Sequence, residues 1–493
     1  FILFQLSMQL LRTSFLFFIL LALWSCTQED DTPILVATED VLFVGGDKIR
    51  ISGRLLANRE VLAEDHGFEF STQASFANPI IVSLGEKNQP GRFIGEKSGF
   101  KLSQTYFVKA FASINGQRLE GKVIELSTLS PAVTSFAPNY GVAGQELVIQ
   151  GKNFPEGTKV FFGNQEAQVI QNVFESKLTV KIPAPTGQIV VPIKLRIQDK
   201  EITLSTPFEY QAGKYTKVSD FPGNVRIYDN SYFSNPAGFH VGLGKIKLGD
   251  NYAGFQRFNP ATGTWTEVNF PGNRRRFAFA TANYLGGGAL EPSRDQFVFD
   301  RSLWKINGSS FERLGDLPFN SRDALAVDWE GGLLLFGGLD GASLLVRAYD
   351  PVQRTWSTKG NAPVALGRNA AAFARASRVI VLGSNGQVWE YNPPLDSWQL
   401  LTTYPGNKGQ GYPIAEVIGS KAYLGLFRAT QELWELNLET LTWKAKNQII
   451  GLPQSITSGY FQYNGSIYFL RAPEESVSGT LTMELYKFDP DAI

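Results

Sequence analysis

The sequence predicts an all-β protein, and three observations carry this prediction. The 493 residues include 48 glycines, and 13% are aromatic, a composition typical of strands and turns. After the first apolar segment, no long run shows helical periodicity. From Tyr215 onward, pairs of large apolar residues seven positions apart recur at regular intervals. Because the chain is longer than one hydrophobic core allows, we expect several domains.

The charges of the chain are balanced, with 46 Lys and Arg against 46 Asp and Glu. A chain without excess positive charge has no global field to hold nucleic acid or an anionic membrane surface. We therefore expect no nucleic-acid partner.

The N-terminal segment has the pattern of a secretion signal. Arg12 precedes an apolar run over residues 15–25, and the only cysteine, Cys26, follows directly. The run is about half the roughly 20 residues that a spanning helix needs. The sequence Leu23-Trp-Ser-Cys26 resembles the lipobox of bacterial lipoproteins, in which the cysteine is acylated. The resemblance implies a signal peptide over 1–26, with Met8 as its start, and a lipid on Cys26 that binds the membrane. The alternative is a buried free cysteine.

Residues 27–33 follow as a short acidic tether, Thr27-Gln-Glu-Asp-Asp31 and two further residues. This tether resembles the export signal of surface-displayed lipoproteins in Bacteroidetes-type bacteria. The resemblance implies an outer-membrane, lipid-anchored protein on the cell surface. A solvated linker of a lipoprotein that faces the periplasm is the alternative.

Residues 34–129 contain short strands broken by glycine and polar turns. The stretch 105–112 alternates, which places Tyr106, Val108 and Ala110 on one face of a strand. With Leu102 four residues before Tyr106, the segment resembles a fibronectin type III domain, a β-sandwich. In that family the leucine and the tyrosine form a structural corner, so we expect Tyr106 to have a packing role.

Residues 131–210 show a second β-sandwich pattern. Gly144-Gln-Glu-Leu-Val-Ile-Gln-Gly-Lys-Asn-Phe154 and Val160-Phe-Phe-Gly163 resemble the IPT/TIG immunoglobulin-like family. Later, Lys177–Ile182 alternates, with Leu178 and Val180 expected to point inward and Thr179 outward. Prolines 183 and 185 then end the strand. In the proteins that these two sandwiches resemble, such domains commonly act as spacers, and we expect the same here.

Residues 213–493 carry the repeated pairs Phe258/Trp265, Trp304/Phe311, Tyr349/Trp356, Tyr391/Trp398 and Leu436/Trp443. The second members lie 46, 45, 42 and 45 residues apart, a period typical of four-stranded units. The pairs, the Asn- and Pro-containing turns after the first members, and the double glycine Gly337-Gly338 resemble the kelch family. This resemblance implies a β-propeller with the first aromatic on the third strand of each blade and the tryptophan on the fourth.

The two ends of this segment complement each other. Tyr215 has the place of a tryptophan, whereas 485–490 supplies a third strand without a following fourth strand. We therefore predict that the strand beginning near Tyr215 pairs with the last three strands. The result would be a six-bladed propeller, closed by an N-terminal strand, in which no sheet edge is exposed.

Cations follow the proline after most of the fourth strands. In the kelch geometry these loops surround one mouth of the central channel, where guanidinium groups suit anions and aromatic rings such as Phe277, Tyr404 and Tyr412 could stack on a ligand. The expected ligand-binding rim is Arg226, Arg274, Arg276, Arg322, Arg368, Lys408 and Tyr412. A structural alternative is that such arginines bond loop carbonyls.

Catalytic and metal-dependent chemistry finds little support in the residue types. A copper oxidase of the galactose-oxidase kind needs two histidines and a cysteine, whereas the propeller segment contains only His240. No Ser/His/Asp set and no cluster of metal ligands is evident, and the carboxylates Asp295, Asp323 and Asp328 have no paired spacing. We expect no cofactor, no metal and no catalytic residue, and His240 to be a packed strand residue.

The sequence thus favours a lipoprotein whose propeller binds a carbohydrate or protein ligand, with two sandwiches as spacers. One alternative is a carbohydrate-active enzyme on a kelch propeller, either a sugar epimerase or mutarotase, or a lyase-like enzyme. A second alternative is a structural scaffold of an envelope complex.

Overall fold

The computed structural model describes residues 32–247, 250–338, 344–451, 454–474 and 482–493. The predicted signal peptide, Cys26 and most of the tether lie outside these residues. Within them the chain forms strands and turns but no helix, so none is present that could cross a membrane. The described chain divides into two compact units, one up to Thr186 with Val190–Glu209, the other comprising Gly187–Ile189 and Tyr210–Ile493.

The first part of the chain contains two β-sandwich segments. Their strands are β1 Leu35–Val44, β2 Ile49–Leu56, β3 Asp65–Ser71, β4 Ile80–Ser83, β5 Gly91–Lys97, β6 Thr105–Ile114, β7 Gln117–Glu120, β8 Ile124–Ser127, β9 Ala132–Ala137, β10 Tyr140–Gly141, β11 Glu146–Lys152, β12 Lys159–Phe162, β13 Gln165–Val173, β14 Lys177–Lys181, β15 Val190–Val191, β16 Ile193–Ile197, β17 Lys200–Thr203 and β18 Phe208–Tyr210.

The first segment pairs its strands in the order β1-β2-β5 in one sheet and β4-β3-β6-β7 in another, where β8 also pairs with β6. Ile51, Phe68 and Val108 are fully buried in its core. Tyr106 is also buried, and its hydroxyl accepts a hydrogen bond from the backbone N–H of Lys101 at 3.2 Å. Its contacts are therefore those of a packing residue.

The second segment has one sheet in the order β17-β16-β12-β13-β14-β11-β9 and a smaller one in the order β10-β18-β15. Leu178 and Val180 of β14 are buried, as the alternation predicts. Thr179, which we expected to point outward, is also only 8% exposed. β14 lies between β11 and β13, so Thr179 is flanked on the same face by Val148 and Gln171, which shield it from solvent.

The second unit continues with strands β19 Lys214–Asp220, β20 Ser231–Asn235, β21 Gly238–Gly242, β22 Lys245–Lys247, β23 Asp250–Asn251, β24 Phe255–Asn259, β25 Thr264–Val268, β26 Phe279–Ala280, β27 Tyr284–Gly286, β28 Ala289–Ser293, β29 Gln296–Phe299, β30 Ser302–Asn307, β31 Ser310–Asp316, β32 Ala324–Trp329, β33 Gly332–Gly337, β34 Leu345–Asp350, β35 Thr355–Asn361, β36 Ala371–Arg375, β37 Arg378–Leu382, β38 Gln387–Asn392, β39 Ser397–Thr403, β40 Ile414–Ile418, β41 Lys421–Gly425, β42 Leu433–Asn437, β43 Trp443–Ala445, β44 Ser455–Tyr463, β45 Ser466–Pro473 and β46 Glu484–Asp489.

Among the described residues, these strands form six four-stranded antiparallel sheets and two small hairpins. The sheets are β20-β21-β24-β25, β26-β27-β30-β31, β32-β33-β34-β35, β36-β37-β38-β39, β40-β41-β42-β43 and β19-β46-β45-β44. The last sheet contains the predicted pairing of the first strand with the last three. In it Tyr215 lies opposite Phe488, and the centroids of their rings are 4.6 Å apart.

The repeated aromatic pairs face each other across the third and fourth strands of their sheets, as in Phe258 opposite Trp265. Trp304 and Phe311 also lie on the third and fourth strands of their sheet, β30 and β31, but they are not opposite each other. Phe311 lies opposite Ile306, because the two strands turn already at residues 307–310, where Gly308 has a positive φ of 63°. The seven-residue spacing in this unit therefore does not mark a cross-strand pair.

One edge strand of each sheet contacts the corresponding strand of the next sheet. We call these the inner strands: β20, β26, β32, β36, β40 and β44. They contact one another in this order, and β44 also contacts β20. Between adjacent sheets lie clusters of buried side chains, such as Phe255 and Phe270 with Trp304. The inner strands therefore surround a common space.

We predict that Phe488→Ala lowers the free energy of unfolding of the second unit by about 3–5 kcal/mol, because the side chain is fully buried against Tyr215. Val352→Ala is the control, since Val352 is 90% exposed. Denaturant unfolding monitored by tryptophan fluorescence measures both. Equal midpoints for the two variants would contradict an essential contribution of this strand pairing.

Candidate functional site

The inner strands line a cavity of about 620 Å³. Its walls include small side chains on three neighbouring inner strands, Ala280, Ala326 and Ala372. Tyr232 and Tyr460 line it from the two inner strands β20 and β44, which contact each other. Since protein interiors are normally filled to crystal-like density, the cavity exists because alanine occupies positions where larger side chains would close it.

The loops that lead into the inner strands form a ring at one end of the cavity. We define the mouth ring as Asp229, Phe277, Asp323, Arg368 and Tyr412. Backbone hydrogen bonds link successive loops. The N–H of Phe277 donates to the carbonyl of Asp229 (2.9 Å), that of Asp323 to the carbonyl of Phe277 (3.2 Å), and that of Arg368 to the carbonyl of Asp323 (2.7 Å). All except Arg368 have a positive φ, between 53° and 62°. Left-handed backbone in non-glycine residues is uncommon and concentrates at functional sites.

Three of the predicted rim arginines converge on Phe277. Their guanidinium carbons lie 4.2 Å (Arg276), 5.8 Å (Arg368) and 5.9 Å (Arg322) from the centroid of its ring. Arg322 lies closer still to Phe297 of β29, at 3.8 Å. These distances fall within the range of cation–π attraction, so two aromatic rings hold a group of positive charges at the mouth.

The charges at the mouth are only partly neutralised by one another. Arg276 forms an ion pair with Glu291 and lies 3.7 Å from a carboxylate oxygen of Asp229. Burial raises the pKa of Asp323, although Arg368 opposes this effect. One terminal nitrogen of Arg368 is buried without a hydrogen-bond partner among the described residues. Because Arg368 lines the cavity, its guanidinium is placed to meet a ligand there.

The other predicted rim residues lie elsewhere. Arg226 donates to the backbone carbonyl of Glu474 at 2.9 Å, which ties it to the end of β45. Arg274 and Lys408 are exposed and are not among the side chains that line the cavity. Tyr404 is buried between sheets, away from the cavity lining. Of the predicted rim residues, Arg368 and Tyr412 line the cavity itself.

Arg275 shows the structural role that the sequence left open for such arginines. It is fully buried and forms an ion pair with Asp300 at 2.9 Å. It also donates to the backbone carbonyls of Asn273 and Gly287 at 3.1 Å each, and to the Ser302 hydroxyl at 2.9 Å. A buried arginine with these partners stabilises the loop and is not accessible to a ligand.

Sequence reasoning missed one charged pair at the cavity, Arg428 and Glu474. Two hydrogen bonds of 2.7 Å join them in a bidentate pair, and both residues line the cavity. They follow β41 and β45, the second strands of their sheets, whereas the predicted rim residues lie in loops after fourth strands. In antiparallel sheets both kinds of loop lie at the same end, and this rule could have identified the pair.

Glu416 is the second residue that sequence reasoning missed. It lies opposite Tyr423 in β41, the same register position that Phe233, Val327, Phe373 and Phe461 hold in other sheets. Within the described residues no cation lies at ion-pair distance, and the carboxylate accepts a hydrogen bond from the N–H of Val417 at 3.0 Å. Burial raises the pKa of Glu416 to about 7. An acidic residue thus occupies a strand position that is apolar in these other sheets, and it lines the cavity.

His240 is not part of the cavity. Its imidazole is fully buried, stacks on Phe233 at 4.4 Å and makes a hydrogen bond of 2.8 Å with Ser309. Burial lowers its pKa to about 4, so it stays neutral at physiological pH. No group of three or more His, Cys, Asp or Glu side chains suited to a metal ion lies in the part of the chain that the structure describes.

The comparisons with known proteins identify one domain. Residues 131–210 match the IPT/TIG domain family and form such a domain. No curated protein matches the chain in sequence.

Several solved structures align with part of the chain. The structure of YjhT is 14% identical and covers 54% of this chain and 95% of its own, with a TM-score of 0.42. A protein of unknown function from Bacteroides thetaiotaomicron is 13% identical and covers 73% and 98%, with a TM-score of 0.35. An auxiliary nutrient binding protein from the same organism is 10% identical and covers 73% and 98%, with a TM-score of 0.35.

We predict that Glu416→Leu stabilises the second unit at pH 8 by up to about 3 kcal/mol. The unfolded chain loses this proton near pH 4.5, the folded chain only near pH 7, so the wild type loses stability as pH rises between these values. The gain from the substitution should therefore be small at pH 5 and complete above pH 7.

Denaturant unfolding at pH 5 and pH 8 measures the difference. Glu267→Leu is the control. It changes an exposed residue of β25, the fourth strand of its sheet, and its effect on stability should show no such pH dependence. A gain for Glu416→Leu that is equal at both pH values would contradict a buried, weakly acidic carboxyl.

Proposed function

We propose that this chain is a lipid-anchored outer-membrane protein, displayed at the cell surface, whose second unit is a six-bladed kelch-like propeller that binds a carbohydrate. In this proposal the fibronectin type III-like and IPT/TIG sandwiches act as spacers, and the lipid is attached to Cys26. The cavity lined by the inner strands is the binding site.

The propeller is supported by the order of the sheets. In five of the sheets, the four strands follow one another along the chain, interrupted only by the hairpins β22-β23 and β28-β29. The sixth sheet joins β19 to β46, β45 and β44 in the described chain. The inner strands contact one another in sequence order, and β44 returns to β20. Such a circular arrangement leaves no sheet with a neighbour missing on either side, which is the defining feature of a propeller.

The composition of the cavity wall carries the proposal of carbohydrate binding. A volume of about 620 Å³ is within the range of small-molecule sites. The lining at the mouth combines a carboxylate that accepts hydrogen bonds (Asp229), a guanidinium that donates them (Arg368), and aromatic faces (Phe277, Tyr412). A sugar presents hydroxyl groups that both donate and accept, and C–H faces that pack on aromatic rings, so it matches this set.

A carbohydrate-active enzyme is the second candidate. Asp323 and Glu416 both have raised pKa values, and strongly perturbed carboxyls are frequent at catalytic sites. Turnover of a bound sugar, lost on Asp323→Asn while the sugar still binds, would favour this candidate over a binding protein.

Filling the cavity should abolish binding. We predict that Ala326→Trp, on an inner strand, lowers the affinity for any glycan that the purified protein retains on a glycan array by at least tenfold. Arg368→Met should weaken binding less, because it removes one donor and leaves the space open. Thr266→Trp is the control, since Thr266 is exposed on an outer strand. Unchanged affinity in Ala326→Trp, measured by calorimetry, would place the site elsewhere.

The anchor is tested separately. In cells that express the full chain, Cys26→Ser should abolish incorporation of labelled palmitate and release the protein from the membrane fraction, because the acylated sulfur is lost. Protease added to intact cells should cleave the wild-type protein. Protection until the outer membrane is broken would contradict surface display, and membrane retention of Cys26→Ser would contradict lipidation.

A further inference from the structure

The interior of the cavity contains a carboxyl group that has no cationic partner among the described residues. Glu416 lines the cavity, and the positions that correspond to it in other sheets include Phe233, Val327, Phe373 and Phe461. An apolar side chain at this position packs between neighbouring sheets. A carboxyl group there forfeits that packing and is also removed from bulk water, both of which destabilise the fold.

Charged groups in protein interiors are normally paired with an opposite charge. The other acids that line the cavity follow this rule, because Glu474 is joined to Arg428, and Asp229 lies 3.7 Å from a guanidinium nitrogen of Arg276. Glu416 does not follow it, since within the described residues its hydrogen bond comes from the adjacent backbone N–H of Val417. No cation of the described chain therefore balances the ionised form of Glu416.

Two tyrosine rings line the cavity with Glu416. Tyr460 lies on β44, the inner strand next to that of Glu416, and its ring centroid is 5.4 Å from that of Tyr232 on β20. Both residues lie close enough for the charge of Glu416 to act on their hydroxyls. Aromatic faces attract cations, and a carboxylate beside them adds a direct ion pair.

We propose that Glu416, Tyr460 and Tyr232 form a subsite inside the cavity that binds a primary ammonium group. The inference rests on the proposed use of the cavity as a binding site and adds the chemical class of the group that reaches its interior. An amino sugar or a lysine side chain carries such a group. A ligand that also carries an anion can direct it to Arg368 of the mouth ring, because that residue lines the same cavity.

The test compares probes that differ only in the amine, using the full protein and calorimetry at pH 7.5. The sugar arm contains glucosamine, glucose and N-acetylglucosamine. The peptide arm contains Nα-acetyl-lysine amide, which keeps its side-chain ammonium group, and Nα-acetyl-norleucine amide, which has none. We expect the wild type to bind the amine-bearing probe of at least one arm tenfold or more tightly than its neutral partners, and the arm that shows this identifies the source.

Glu416→Gln keeps the size of the side chain and removes its charge, so the preference for the amine should vanish in it. Glu267→Gln, exposed on an outer strand, should retain the preference. Thermal unfolding in the absence of probe verifies that both variants are folded. A preference lost in Asp323→Asn but kept in Glu416→Gln would place the amine at the mouth and overturn the proposal.

The remaining outcomes separate this inference from the proposed function. If neutral sugars bind as tightly as glucosamine and Ala326→Trp abolishes that binding, the carbohydrate site stands and the ammonium subsite falls. If only the lysine probe binds, and Glu416→Gln abolishes its binding, the subsite stands and the carbohydrate proposal falls. If no probe binds with a preference for the amine, the ammonium subsite is rejected.

Discussion

The pairing of β19 with β46 is the contact on which the second unit depends. It joins the beginning of this unit to its end, through Tyr215 opposite Phe488. Without it β19 would be a lone strand, and β46 would present an open edge on one side of its sheet. The pairing is also non-local, so folding of this sheet requires both ends of the unit to be present together. The inner strand β44 belongs to the same sheet, and its position relative to β20 follows from the pairing.

The cavity is a consequence of the same arrangement. Each sheet buries both of its faces against neighbours, so its inner strand has little freedom to shift, and the width of the central space is set by the inner side chains. Ala280, Ala326 and Ala372 leave this space open on their side, whereas Tyr232 and Tyr460 narrow it from the side of β20 and β44. The backbone bonds between successive mouth loops hold the charged side chains against this rigid frame. A site built in this way is largely formed before a ligand arrives.

The sequence predicted the features that depend on period and on spacing. The pairing of Tyr215 with Phe488 could be predicted because every other unit supplies its own fourth strand, so the missing one could be counted. Trp304 and Phe311 show the limit of this reasoning, since a shorter turn at Gly308 shifts the register without changing the spacing of aromatic residues.

The candidate site was less predictable, because adjacent arginines differ in which way they point. Arg275 points into the protein and bonds carbonyls, while its neighbour Arg276 lies on Phe277. Nothing in a run of three arginines distinguishes these two environments. Glu416 was missed for a different reason: an acid in a short strand looks like a solvent-facing residue until the strand is known to be an inner one.

Glu416 also shows how stability and binding oppose each other in this fold. In the absence of a cationic partner, burial destabilises its ionised form and so raises the pKa of the carboxyl. A bound cation would reverse the sign of the effect, because the desolvated carboxylate then has an ion pair in surroundings where screening by water is weak. Burial of the carboxylate lowers the stability of the ligand-free protein. Relief of this cost on binding would increase the affinity for positively charged ligands relative to neutral ones. An apolar residue at this position would make the fold more stable and leave the cavity without this means of discrimination.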